Sequence, residues 1–438
     1  MTPELNESPL RVGVAGLGTV GAALAALLLT RHATMSAEGA RPLQLVAISA
    51  RDAGRDRGFD ASSLTYHDDP VALARDPQVD IVVELIGGQD GPARDLVEAA
   101  LKAGKSVVTA NKALLAAHGM SLAQMAEASG ACLMFEAAVA GGIPAIRALR
   151  DAVPGQKVSR VSGILNGTCN YILTRMEREG AAFGSVLADA QRLGYAEADP
   201  TFDVDGFDTG HKLAILTSLA FGTQIEADDM YIEGIRSITP EDMQAASELG
   251  YRIKLLGVAQ ATETGIEQRV HPTMLPADSP LAQVNGVLNA VSIDTDLLGE
   301  IVLSGPGAGG RATAASVLAD LQDLARGIRP NPLRLPRASL KPYVRARMRA
   351  HEGGYYIRLS VEDRPGAFAA IARRMADHGI SLQSIVQRRK AHDAGPLTHQ
   401  PVIMITHETM ELSVRRAMDD ILADGHVNTP PQVIRIER

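Results

Sequence analysis

From Leu10 onward the chain alternates short continuous apolar runs with stretches of helical period: "RVGVAG", "AALAALLL", "LQLVAIS", "DIVVELIGG", "ARDLVEAALKAG", "SVVTANK". Runs that lack the in-and-out alternation of a half-exposed strand are buried on both faces, and strands buried that way are parallel ones joined by crossover helices. The rhythm predicts an α/β fold, a Rossmann-like doubly wound domain over residues 1–135, with "CLMF" as its fifth strand.

After Glu136 the alternation fades and the Gly-rich "AVAGGIPA" opens a second, α+β domain expected over 136–303. The run "SGPGAGGRATAASVLADL" joins a glycine turn to an Ala-rich helix, expected to pack back on the first domain and complete it over about 304–330. "RPNPLRLPRASLKPY" has four prolines and no apolar period, so 331–352 reads as a linker. Beyond it the pattern spells strand, helix, strand, strand, helix, strand, a ferredoxin-like module at 353–438. A chain of 438 residues suits such a division, being too long for one ordinary core.

Several function classes drop out on composition. The net charge of −8 comes without a basic stripe, which argues against nucleic acid. Cys132 and Cys169 have no CxxC spacing and no histidine cluster nearby, so a reduced compartment is expected and a thiolate zinc site is not. No apolar run reaches signal-peptide or bilayer length, so no membrane association and a cytoplasmic location are expected.

"VGVAGLGTVG" sets Gly16, Gly18 and Gly21 at GxGxxG spacing between a strand and a helix. Gly16 permits the tight turn, Gly18 lets the backbone approach a pyrophosphate and Gly21 lets helix and strand pack closely. The free N–H groups of the helix start, at Thr19 and Val20, suit the phosphates. Where an acid would take a ribose hydroxyl, "AISARDAGRDRG" offers Arg51 and Arg55, which favours the 2′-phosphate of NADP; Asp52 in the same stretch leaves NAD open. Thr109 and Lys112 follow a strand end at the ligand-binding edge of the sheet, and so does Glu136.

The densest chemistry lies in "AEADPTFDVDGFDTGHK", residues 196–212. As a calcium loop it fails, since Lys212 would fall where a bidentate glutamate is required. As a zinc site it fails too, because His211 stands alone. Asp208 and Lys212 are four apart at the start of an apolar helix and share one face, which orients an ammonium beside a carboxylate for acid–base work. Glu197 and Asp203 are then free to hold a cationic group of a substrate.

That segment, with Ala190, Gly194, Tyr195, Asp199, Pro200, Asp203, Val204, Gly206, Asp208 and Lys212 at matching spacing, resembles the signature of homoserine dehydrogenases. "GLGTVG", "TANK", "FEAAVAGGIP", "SGILNGTCNYIL" and "GPGAGG" resemble the family's other landmarks in order, over about residues 10–325. "VEDRPGAFAAIARRMADHGISLQSI" is similar to an ACT domain, as in the longer bacterial form; a fused aspartokinase form is not indicated. The resemblance implies reversible NAD(P)H-dependent reduction of L-aspartate 4-semialdehyde to L-homoserine, on the way to threonine, methionine and isoleucine. It implies Lys212 as proton donor assisted by Asp208, with Lys112 facing it, and Glu197 and Asp203 on the substrate's amino group. It implies substrate contacts at Gly167 and Thr168 and cofactor contacts at Gly194 and Gly307. Finally it implies a monovalent cation, sodium or potassium, on backbone carbonyls of Glu136, Val139, Gly141 and Ile143.

In the ACT-like module, Asp363, Pro365 and Gly366 form the turn where an amino-acid effector, threonine first, is implied. Such modules commonly pair, so a homodimer or homotetramer is expected. Two other readings stay open: a dehydrogenase for another amino-acid aldehyde, and a non-catalytic sensor of NADP and amino acids.

Overall fold

The computed structural model describes residues 8–36, 40–346, 352–387, 399–427 and 429–437. The first sheet consists of β1 (Leu10–Ala15), β2 (Leu43–Ser49), β3 (Thr65–His67), β4 (Ile81–Glu84), β5 (Ser106–Thr109) and β6 (Leu133–Met134). These strands are parallel and lie in the order β3-β2-β1-β4-β5-β6. The strand missing from the sequence count is β3, whose three residues, Thr-Tyr-His, carry no apolar run. Glu136 therefore follows the sixth strand rather than the fifth. The order reverses between β1 and β4, which opens a ligand crevice beyond their carboxyl ends. Helix Gly310–Ala325 packs on helix Thr19–Ser36, where its Ala314, Val317 and Leu321 join Val12, Val14, Leu24 and Leu28 in one buried cluster.

The second sheet is mixed and runs through two units. Its strands are β7 (Val158–Ile164), β8 (Tyr231–Ile232), β9 (Tyr251–Thr262), β10 (Gly265–Pro276), β11 (Leu288–Thr295) and β12 (Gly299–Pro306). They are followed by β13 (Glu352–Glu362), β14 (Leu382–Gln387), β15 (His399–Thr406), β16 (Thr409–Met410) and β17 (Gln432–Ile436). The path is β12-β11-β7-β9-β10-β17-β13-β15-β14. The C-terminal unit has the βαββαβ order, with helices Ala367–Asp377 and Glu411–Ala423 between its strands. It is not a detached module, because β17 pairs with β13 on one side and with β10 on the other, setting Thr273 opposite Arg435.

The proline-rich stretch after 330 is laid along the second domain. Lys341 bridges to Thr223 and Arg345 to Ile266, and Leu333 and Leu340 are buried. Two leucines and isolated bridges leave no periodic trace in a sequence. Cys132 and Cys169 are free thiols in the interior. Among the described residues no helix is long and apolar enough to cross a membrane.

Candidate active site

The glycine loop is shaped by the chain's own backbone. Gly16 takes φ +88, and a Cβ there would strike the Leu85 carbonyl; one on Gly21 would strike the Gly16 oxygen. Gly18 has nothing within 4 Å of where its Cβ would lie, so the loop presents an open cradle before helix Thr19–Ser36. A Cβ on Gly310 would press on Thr19, which brings the 304–310 turn against the same loop. Beside β2 a cleft of about 240 Å³ is lined by Leu17, Ile48, Arg55, Arg57, Phe59 and Tyr66. Arg55 lines it; Arg51 is exposed and does not. Arg57, which the sequence reading passed over, donates to the carbonyls of Leu17, Asp52 and Arg55 and pins the segment to the glycine loop.

Across the crevice the loops after β4 and β5 are locked together. Buried Glu84 accepts from Thr109 Oγ1 at 2.5 Å and from the Ile86 and Gly87 amides. Asn111 donates to the Gly88 carbonyl and caps helix Lys112–Ser129 through the Leu114 amide. Lys112 therefore leaves the first turn of that helix from a fixed base.

Lys112 and Lys212 meet on one carboxylate. Lys212 Nζ donates to Asp208 Oδ2 at 2.6 Å and to the Leu165 carbonyl at 2.7 Å, while Lys112 Nζ lies 3.2 Å from Asp208 Oδ1. Asn166 donates to both Asp208 Oδ2 (2.9 Å) and Asp203 Oδ1 (2.8 Å). Burial alone would raise Asp208, but the two ammonium groups and Asn166 outweigh it and hold the carboxyl well below its ordinary range. Asp203 moves the other way, raised by burial and then by the negative charge of Asp208. Two neighbouring carboxyls thus take opposite protonation tendencies, a pattern typical of acid–base sites. Asn166, also the N-cap of helix Gly167–Glu179, lies within "SGILNGTCNYIL" beside Gly167 and Thr168, and its carboxylate partners stand 37 and 42 positions on, where no local pattern points.

The remaining candidates sit at varied distances. Thr168 Oγ1 donates to the Tyr195 carbonyl at 2.6 Å, joining Gly167 and Thr168 to the 194–199 loop. Gly194 and Glu197 are exposed on that loop, and among the described residues no hydrogen bond or ion pair ties the Glu197 carboxylate to the lysine cluster. The buried Asn289 side chain lies over Gly307, and a Cβ on Gly141 would strike the Gly307 carbonyl, so the Gly-rich 139–143 stretch underlies that turn.

Ala140 and Gly141 both take left-handed backbone angles, φ 56 and φ 53. The Gly141 carbonyl accepts from Ser316 Oγ at 2.7 Å and that of Ile143 from the Ala145 amide at 2.8 Å, leaving each a second lone pair. Such oxygens, with those of Glu136 and Val139, are a hard donor set suited to an alkali cation. Among the described residues no group of three or more His, Cys, Asp or Glu could hold a metal ion. The Glu136 side chain points elsewhere, to the Ile146 and Arg147 amides, and burial with Asp320 nearby pushes it up to about 8. In the C-terminal unit, Asp363, Pro365 and Gly366 form an exposed turn, with φ +91 at Gly366.

Against known proteins, residues 16–136 match the NAD-binding domain of homoserine dehydrogenase, 144–322 match the homoserine dehydrogenase domain and 355–425 match the ACT domain. The homoserine dehydrogenase of Pseudomonas aeruginosa is 42% identical over 98% of this chain and 99% of its own. The chain belongs to the homoserine dehydrogenase family. A crystal structure of a homoserine dehydrogenase from Thiobacillus denitrificans shares the fold with a TM-score of 0.91 and 42% identity over 98% of each chain. A hyperthermophilic archaeal homoserine dehydrogenase in complex with NADPH matches with a TM-score of 0.63 and 28% identity, covering 74% of this chain and 99% of its own. Homoserine dehydrogenases are NAD(P)-dependent oxidoreductases, and this one carries the Rossmann-like domain, the mixed-sheet domain and the ACT domain in one chain.

Proposed function

We propose that this chain reduces L-aspartate 4-semialdehyde to L-homoserine, reversibly, with Lys212 delivering the proton to the carbonyl oxygen. The observation that carries this role is the ammonium fixed by Leu165 and Asp208 at the domain junction, facing Lys112. An ammonium has three N–H bonds, and two are engaged here, so the third is available to a substrate oxygen. The bound nicotinamide supplies the hydride. Asp208, kept ionised, orients Lys212; Lys112 adds positive charge where the alkoxide develops. Glu197 meets the substrate ammonium from the 194–199 loop, supported by Asp203, and the first turn at Gly167 and Thr168 suits its carboxylate. Mixing the protein with homoserine and NADP and following reduced nicotinamide tests the reading; no turnover with homoserine but turnover of a related alcohol would replace the substrate.

NADP is the proposed nucleotide, with Gly16, Gly18, Thr19, Val20, Gly21 and Gly307 around its pyrophosphate and nicotinamide ends and Arg55 at the 2′-phosphate. The open cradle at Gly18 and the cleft at Arg55 support this, as does the NADPH complex of the archaeal relative. Arg55→Ala is expected to raise KM for NADPH about tenfold or more and leave that for NADH nearly unchanged, since a charged hydrogen bond contributes about 1.5–3 kcal/mol. Equal effects on both would take Arg55 out of phosphate recognition.

An alkali cation on the 136–143 carbonyls would brace the turn under Gly307. Exchanging sodium and potassium salts for choline should then lower activity; unchanged activity removes the ion. The edge strand β12, paired only with β11 among the described residues and with Leu297 and Leu298 exposed beside it, supports a homodimer or homotetramer, which light scattering checks. Threonine inhibition through the ACT domain and a cytoplasmic biosynthetic setting complete the reading.

A further inference from the structure

Where the ACT domain meets the second domain, a cleft of about 530 Å³ opens between the Tyr231–Ser237 segment and helix Glu411–Ala423. We propose that this cleft is an effector site for a free α-amino acid with a short aliphatic side chain, and that it is wired to the catalytic helix through residues 231–235. The proposal rests on the regulatory reading of the ACT domain and places the ligand away from the 363–366 turn.

The lining selects a zwitterion. Arg415 and Arg435 pair directly with Glu411, Arg269 and Glu267 lie paired behind it, and Glu233 and Asp419 also line the cleft, so the positive charges are matched and a phosphate dianion finds no excess of positive charge. Buried Glu411 is already saturated by guanidinium groups, at 2.6 Å from Arg435 and 2.6 Å from Arg415. Glu233 and Arg415 are only half engaged. Glu233 Oε2 accepts from Tyr231 at 2.9 Å, and Arg415 uses Nε and Nη2 on Glu411; among the described residues the other Glu233 oxygen and Arg415 Nη1 make no hydrogen bond. They offer a partner for an ammonium and one for a carboxylate. Val414, Met418 and Leu422 supply an apolar wall for an aliphatic side chain. Tyr231 cannot swing aside freely, because the Arg415 and Arg435 guanidinium groups sit over its ring at 5.3 and 5.2 Å.

The same segment touches the catalytic helix with its alternate residues. Successive side chains of a strand point to opposite faces, so Tyr231 and Glu233 face the cleft while Ile232 faces away. Ile232 packs under Gly206 and Gly210, its atoms 3.1 and 3.0 Å from where their Cβ atoms would lie. Gly234 lies so close to Val204 and Asp205 that a Cβ would strike their backbone, and the Ile235 amide donates to the Val204 carbonyl at 2.9 Å. Residues 203–210 carry Asp203 and Asp208. A ligand that draws Glu233 toward Arg415 thereby pulls on the floor beneath the carboxylate that orients Lys212.

The test is calorimetric titration of the full chain with L-threonine, L-valine, L-isoleucine and L-methionine, alongside homoserine oxidation with and without each. At least one should bind saturably and change the rate. Glu233→Gln and Arg415→Lys should each weaken it about tenfold to a hundredfold, with kcat and KM in its absence unchanged, while Asp363→Asn keeps the affinity. The chain has no tryptophan, so Leu422→Trp places a lone indole in the cleft, and its emission should follow the same isotherm. Absence of binding by all four amino acids overturns the proposal, as does binding that survives both cleft variants and is lost in Asp363→Asn. Titration needs no turnover, so a failed oxidation assay with an intact isotherm strikes the enzymatic reading and spares the cleft.

Discussion

Lys212→Ala lowers kcat for homoserine oxidation by about 10²–10⁴-fold, the range a positioned acid–base group contributes, and leaves nucleotide affinity close to that of the unaltered protein. The separation follows from geometry. Lys212 contacts Leu165 and Asp208 on the substrate side, whereas the glycine cradle and the Arg55 cleft belong to the first domain. Steady-state kinetics with a separate nucleotide titration measures both quantities. Near-normal kcat would remove Lys212 from proton transfer and turn attention to Lys112. Folding should tolerate the change better than for most buried pairs, because Asp208 keeps Lys112 and Asn166. The sign of the pH effect is fixed by the depressed Asp208 carboxyl: its contribution to stability is complete above its unfolded value of about 4 and is lost as pH falls through the lower folded value. With one ammonium gone the folded value rises toward the unfolded one, so acid unfolding followed by circular dichroism should begin at higher pH in Lys212→Ala.

What could be read in the sequence was what the chain decides locally. Gly21 is forced by the Gly16 oxygen five residues before it, Gly16 takes a left-handed angle at the turn itself, and Asp208 and Lys212 are one helical turn apart, so spacing alone exposes these positions. The βαββαβ order of the C-terminal unit was legible because each of its longer strands carries its own apolar run. The rest is made at long range. Lys112 reaches Asp208 from another domain, Asn166 bridges two carboxyls some forty positions on, and Glu84 meets Thr109 across neighbouring strands. Nothing in the local text of any of these residues names its partner. The attachment of the proline-rich linker stretch is invisible in the sequence for a related reason, since it is made by single bridges that have no period. Glu197 is the converse case: the pattern marks it, yet the structure leaves it exposed on its loop, with no bond from its carboxylate to the lysine cluster among the described residues.

Asp242→Ala should weaken the joint between the second domain and the ACT domain by about 3–5 kcal/mol, the cost of stranding a partner of a buried ion pair. Asp242 is fully buried and engages both of its oxygens. Oδ1 accepts from Tyr356 at 2.8 Å and Arg358 Nε at 2.7 Å; Oδ2 accepts from the Thr239 amide at 2.9 Å and from Arg358 Nη2 at 3.1 Å. One carboxylate thus closes the capping box of helix Pro240–Glu248 and neutralises an arginine on β13, an inner strand of the ACT sheet. Alanine removes the side-chain half of the capping box, the acceptor of the Thr239 amide, and leaves Arg358 and Tyr356 without their acceptor. A single unfolding free energy is ill defined for a chain of several domains, so the measurement is hydrogen exchange, which should show β13 and β17 opening well before β1 and β4. Arg358→Met added to Asp242→Ala should restore much of the loss, because most of the cost lies in the orphaned charge rather than in the missing contact. If the double variant is as loose as the two single losses added together, the pair works by shape alone; if Asp242→Ala exchanges like the unaltered chain, the ACT domain is held by the β10–β17 ladder and this carboxylate is incidental to it.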